Sequence, residues 1–179
     1  MDFLSLAKER YSCRSFQDKE VEKEKIEKIL EAGRVAPTAV NLQPQRILVL
    51  QDKDKLSKLS EVTKFGWNAP VILVVCYDKN ISWKRKYDGK DEGIVDASIV
   101  TTHMMLEAQD LGLGTTWIGA FDPEKVREVY SIPDNLEIVA LLPIGYPSEN
   151  ALPSPMHSKR NEINDMVSVS YTHLTLPTT

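Results

Sequence analysis

The chain has 179 residues, 42% of them hydrophobic and 27% charged, with a formal net charge of −4. That length suits one domain able to bury about 70% of its unfolded surface, and the acidic balance argues against general nucleic-acid binding, which needs a basic face. Any anion site must therefore be a local cluster.

A short helix is expected over 2–10, with Asp2 as N-cap and Phe3, Leu6 and Ala7 on one side. A second spans 21–34: Ile26, Ile29 and Leu30 form its apolar stripe, Gly33 weakens its end and Pro37 stops it. Residues 46–50 read as a strand and 53–61 as one short polar helix. The unbroken apolar run 70–77 reads as a strand covered on both faces. The longest helix falls over 92–111. Asp96, His103, Glu107 and Asp110 make one polar stripe, and apolar residues take most of the remaining circumference. Such a helix is central or shared with another subunit. Gly112 and Gly114 end it. A strand over 115–118, a helix over 123–130 started by Asp122-Pro123 and a strand over 136–144 follow. Residues 147–157, rich in proline and serine, should form an arm.

Alternation alone suggests a three-layer α/β protein. Yet no strand-to-helix turn carries a dinucleotide fingerprint or a phosphate loop; Gly112-Leu113-Gly114 follows a helix and precedes a strand, the wrong order for either. No apolar run reaches the roughly 18 residues of a membrane span, and the N-terminus lacks a basic-then-apolar leader. Cys13 and Cys76 have no metal-ligand spacing and read as reduced thiols, so a cytoplasmic location is expected. Cys13 lies near two arginines, which could lower its pKa; a small buried filler is the plainer reading. His103 and His157 receive no metal or catalytic role. The basic run 83–90 reads as a loop that either lines the substrate opening or is simply solvated.

Four segments carry the chemistry: RYSCRSF at 10–16, APTAVNLQPQ at 36–45, GLGTTWIGA at 112–120 and HSKR at 157–160. Each alone has a bland reading as a helix end, a capped turn, a helix stop or surface charge. In this order, with the Ala-Pro-Val that opens the 70–77 strand and with PIGYP at 143–147, they resemble the flavin-dependent nitroreductase family, closest to its short single-domain members, over residues 3–167.

The resemblance implies an α+β fold with a mainly antiparallel sheet wrapped by helices, in an intertwined homodimer. It implies FMN held non-covalently at the subunit interface. Arg10, Ser12 and Arg160, with Lys159, would hold the phosphate, since guanidinium groups make forked bonds to phosphate oxygens. Arg14 would lie by the pyrimidine side of the ring and favour its reduced, negative form. Asn41 and Gln43 would bond the ring's polar edge. Pro37, Thr38 and Ala39 would approach from the partner subunit. Thr116, Trp117, Ile118 and Gly119 would pass beside the ring, with a backbone N–H near flavin N5. The implied activity is ping-pong transfer of two electrons from NAD(P)H through FMN to a nitroaromatic, a quinone or a similar acceptor. No side chain need act as acid or base. Alternatives on the same scaffold are a non-turnover FMN store or redox sensor and a reductive dehalogenase. The FMN-binding domain is expected over 1–169. Residues 170–179 fit no part of the pattern and read as a non-native or disordered tail.

Overall fold

The computed structural model describes residues 2–168. Four strands form one antiparallel sheet in the order β1-β2-β4-β3: β1 Gln45–Leu50, β2 Val71–Asp78, β4 Leu136–Gly145 and β3 Gly114–Thr115. Gln45 pairs with Tyr77 and Leu50 with Ile72. Val71 pairs with Ile144, and a bulge at Val75/Cys76 shifts the rest of that ladder.

The alternation along β2 builds two cores. Val71, Leu73, Val75 and Tyr77 face α2 (Lys23–Arg34) and α5 (Gly93–Asp110), meeting Ile29, Val100 and Met104. Ile72, Val74 and Cys76 face the opposite side, with Leu59 and Val62 of α4 (Leu59–Val62) and Val126 and Tyr130 of α6 (Pro123–Tyr130). Helices therefore cover both faces, as alternation suggested, but every strand pairing is antiparallel, so the fold is α+β rather than α/β. The apolar run in β2 reported a central strand with two covered faces and not a parallel neighbour.

Helix ends follow their capping chemistry. Asp2 caps α1 (Phe3–Glu9) by accepting the Ser5 N–H at 3.1 Å, and Asp122 caps α6 by accepting the Lys125 N–H at 3.2 Å. Gly112, at φ 76°, turns the chain out of α5. The helix expected over 53–61 breaks at Lys58 into α3 (Lys53–Ser57) and α4. There Ser57 and Ser60 donate their hydroxyls to the Asp54 and Ser57 carbonyls, competing with the helix ladder. The strand expected over 115–118 pairs as Gly114–Thr115; Ile118 meets Leu141 in the same register, while Thr116 and Trp117 leave the ladder.

The polar stripe expected on α5 also needs correction at its first member. Asp96 is 2% exposed, while Ile94 and Val95 beside it face outward. In the 83–90 loop Arg85 pairs with Asp88 and Glu92, so its basic charge is met locally. A last short helix, α7 (Ile163–Met166), follows the arm. Among the described residues no helix is long and apolar enough to cross a membrane, and no cluster of His, Cys, Asp or Glu is arranged for a metal ion. The tail over 170–179 lies outside the described residues.

Candidate functional site

The segment after α1 runs beside β3. Ser12 bridges to Thr115 in parallel, and the Cys13 N–H donates to the Thr115 carbonyl at 2.9 Å. The closeness depends on Gly114: a Cβ there would lie 2.7 Å from both Cβ and Sγ of Cys13. Cys13 is fully buried and its thiol is pushed up by that burial, which fits a filler and not an activated nucleophile.

The C-terminal arm folds back over the same segment. Phe16 bridges to Pro147, the Ser15 and Ser148 hydroxyls bond at 2.7 Å, and the Gln17 N–H donates to the Tyr146 carbonyl. Tyr11 donates its hydroxyl to the Ala151 carbonyl at 3.0 Å, and the His157 ring bonds the Lys8 carbonyl through Nε2 at 3.0 Å. These ties carry Arg160 to Arg10. Burial first, and then the nearby charge of Arg160, push the Arg10 guanidinium down from its ordinary value.

Two cations held together need a reason. Arg10 Nη1 is buried with no acceptor among the described residues. Among the described residues none of Arg10, Arg14 and Arg160 pairs with a carboxylate, although Arg34 and Arg85 do. Arg160 donates, among the described residues, to the backbone carbonyls of His157 and Lys159. Lys159 and Arg14 extend into solvent. Arg10 is half-buried and Arg160 exposed, so the cluster carries one buried open donor among cations at the surface, the arrangement an anionic oxygen would complete. It also passes as a test of fit for a phosphate-bearing cofactor.

Beyond β3, Thr116 is buried with an unpartnered Oγ1, and Trp117 and Gly119 reach the surface. The Ile118 side chain joins the second core, and its N–H donates to the Leu141 carbonyl at 2.9 Å. Ile118 is thus committed to the sheet, leaving Trp117 and Gly119 as backbone groups outside it.

The 36–45 segment is a strained turn. Val40, Asn41 and Gln43 have φ of 45°, 58° and 52°. The Gln43 N–H donates to Thr38 Oγ1 at 3.1 Å, and Gln43 Nε2 to the Asn41 carbonyl at 3.3 Å. Pro37, Asn41 and Gln43 are exposed, and Thr38 and Ala39 half-buried. The Ala39 N–H donates to Asp96 Oδ1 at 2.8 Å, which fixes this turn to the start of α5.

The two groups therefore occupy opposite ends of the chain's fold. From Asp96 to Asp110, α5 advances about 21 Å, and Thr115 lies just beyond. The sheet gives the same measure: Gly93 sits against the Tyr77 ring, Thr115 neighbours Ile144, and Ile144 neighbours Val71. From Val71 to Tyr77 a strand covers about 20 Å. The structure thus brings together Arg10, Ser12, Arg160 and the 116–119 segment, and holds Pro37, Thr38, Ala39, Asn41 and Gln43 apart from them. A groove of about 850 Å³ is lined by Lys19, Lys53, Leu56, Lys64, Trp67 and their neighbours and by none of these candidates. Its lining mixes lysines with Asp18 and Glu20, so it lacks the one-signed character of the arginine cluster.

Asp96 is the residue that sequence reasoning missed. A signal existed: it precedes Val100, Met104 and Ala108 by four, eight and twelve positions, which puts it on their buried face.

An antiparallel sheet clad on both faces by helices, with arginines at one end that find no carboxylate among the described residues, defines an α+β protein. The chain belongs to the nitroreductase family of oxidoreductases, whose sequence profile matches residues 7–64 and 63–146. A crystal structure of a nitroreductase family protein from Clostridium difficile 630 shares 46% identity at a TM-score of 0.89, over 96% of this chain and 99% of that one. An FMN-dependent nitroreductase from Clostridium difficile R20291 shares 30% identity at a TM-score of 0.72, over 99% and 100%. A relative from Methanothermobacter thermautotrophicus, provisionally named an NADH dehydrogenase/NAD(P)H nitroreductase, is 36% identical over 157 residues, 84% of this chain and 80% of its own.

Proposed function

We propose that this chain is an FMN-dependent, NAD(P)H-linked reductase that works as a homodimer. The observation that carries the reading is the buried, acceptor-less Nη1 of Arg10 beside Arg160. Arg10 and Arg160 hold the cofactor's phosphate, with Ser12 adding a hydroxyl and Lys159 a more distant charge. Arg14 stands further along the same segment and favours negative charge on the reduced ring. Trp117 and Gly119 offer backbone N–H groups that the sheet does not use, and Thr116 offers a free buried hydroxyl. When bound, the flavin supplies two-electron chemistry between NAD(P)H and a nitroaromatic, quinone or similar acceptor that takes the donor's place, a ping-pong cycle.

The remaining half of the site comes from a second copy. The separation of about 20 Å along α5 keeps Asn41 and Gln43 away from their own chain's arginines. In a two-fold dimer joined along α5, the 36–45 turn of one copy meets the arginine cluster of the other. Asn41 and Gln43 then bond the ring's polar edge, and Pro37, Thr38 and Ala39 lie against it. Residues 1–169 make up this domain.

Purified protein should be yellow and release FMN on denaturation. Anaerobic addition of NADH or NADPH should bleach it, and a quinone or nitroaromatic should restore the colour at catalytic rate. Protein without flavin, or flavin that neither nucleotide bleaches, would overturn the reading. Bleaching without turnover against any acceptor would make it a flavin store instead.

A further inference from the structure

The strained turn over 38–43 has to be held by something outside itself. A residue other than glycine at positive φ costs on the order of 1–3 kcal/mol and persists only where its surroundings impose it. Val40 is β-branched, the least suited type for that region. Within the turn, the Asn41 N–H donates to the Thr38 carbonyl and the Leu42 N–H to the Ala39 carbonyl. These bonds shape the turn but do not attach it. Its far end is tied where the Asp78 N–H donates to the Pro44 carbonyl at 2.9 Å. Its near end is tied by the Asp96 carboxylate, 57 positions along the chain from Ala39.

Asp96 suits this task. It lies in the first turn of α5, where the helix dipole favours a negative group. It is 2% exposed, and Oδ2 has no donor among the described residues. A buried carboxylate oxygen left open is costly, so the bond that Oδ1 accepts from the Ala39 N–H is the polar contact Asp96 makes there. We propose that Asp96 is a positioning residue: by accepting the Ala39 N–H it holds the 38–43 turn in the strained form that presents Asn41 and Gln43 to the flavin. The inference rests on the flavin reading above. It assigns the aim of the ring-contacting residues to a carboxylate on α5 that touches neither cofactor nor substrate.

Two substitutions separate this role from simple packing. Asp96→Asn keeps a side-chain oxygen that accepts the Ala39 N–H, and Asp96→Ala removes it. In flavin-free full-length protein, Asp96→Ala should speed hydrogen exchange at the amides of 39–43 at least tenfold, with β1, β2 and the middle of α5 unchanged. Asp96→Asn should stay within threefold of wild type. With FMN added, Asp96→Ala should weaken binding at least tenfold and shift the bound flavin's visible absorption, and Asp96→Asn should restore both.

Where Asp96→Ala does not fold, Ala39→Pro removes the same bond from the donor side. Thr38, at φ −132° and ψ 158°, already has the backbone that precedes proline, so this variant should loosen 40–43 and weaken FMN in the same way. Unchanged exchange at 39–43 in the variants, faster exchange throughout the chain, or an Asp96→Asn protein as impaired as Asp96→Ala would each overturn the proposal. A wild-type chain that takes up no FMN would overturn the flavin reading alone, because exchange reports the clamp without the cofactor.

Discussion

Arg10 keeps one guanidinium nitrogen buried and open, while Arg14, four positions on, lies in solvent with a long bond of 3.4 Å to the Ser12 carbonyl. Burial separates what the two can do. A half-buried cation with an unused donor gains most from a phosphate, because the anion satisfies a group already taken from water. An exposed cation is screened, and its pull on a nearby ring is a modest bias. Arg10→Ala should therefore weaken FMN binding by roughly 10- to 100-fold, the loss of about 1.5–3 kcal/mol expected for a bond to a charged group, while leaving the potential of whatever flavin remains. Arg14→Gln should leave binding within a few-fold and lower the two-electron midpoint potential by on the order of 20 mV, equivalent to about 1 kcal/mol. Fluorescence titration of apoprotein and an anaerobic dye-coupled reduction would read the two effects. If both substitutions move the same quantity, the division between phosphate and ring is wrong.

At the scale of elements, the arginine cluster exists because the 10–16 segment lies flat on β3, and it lies flat because position 114 has no side chain. Gly114→Ala would push a Cβ to 2.7 Å from Cys13 and 3.2 Å from Pro147, both fixed in place. Overpacking of this kind costs about 1–3 kcal/mol, or a fall of roughly 2–12 °C in melting temperature for a chain this size, read by calorimetry. FMN binding should weaken too, because Arg10 and Ser12 move with the segment. A variant that loses stability but binds FMN normally would show that the junction supports the fold and not the grip.

The same elements show what the sequence could disclose. Caps at Asp2 and Asp122, the stop at Gly112 and the buried character of β2 depend on neighbours within a few positions, and all were legible. The pairing sense of the strands was not, since a strand covered on both faces has the same apolar run in parallel and antiparallel sheets. The break at Lys58 hung on serine hydroxyls choosing carbonyls over solvent. Asp96 was placed on a solvent stripe because its charge outweighed its spacing from Val100 and Met104. The motif residues were legible by type. Their division between two ends of α5 follows from three-dimensional distance and has no local signature.

For the whole molecule, that division sets the assembly the function needs. Apolar side chains lie open on three elements: Phe3 (70% exposed) and Leu4 on α1, Val40 (73%) and Leu42 on the strained turn, and Ile94 and Val95 at the start of α5. The arm adds Leu152 and Met156, and large uncovered apolar residues on elements beside α5 suit a subunit contact. In the dimer proposed above, a second copy covering these residues would also bring its 36–45 turn to the arginine cluster, so dimerisation and completion of the site would be one event. Ile94→Arg places a charge on that surface, two positions from Asp96 but outside the clamp itself. If the proposed dimer forms, it should shift the sedimentation equilibrium toward monomer at micromolar concentration, where the wild type should sediment as a dimer. FMN affinity should fall in parallel and recover as protein concentration rises, because mass action restores the dimer. The arginines of the monomer remain intact, so phosphate alone should still protect Arg10 from modification by phenylglyoxal. A monomeric variant that bound FMN as tightly as wild type, with no dependence on its own concentration, would mean that one chain completes the site. The distance along α5 would then have to be bridged by the ligand itself.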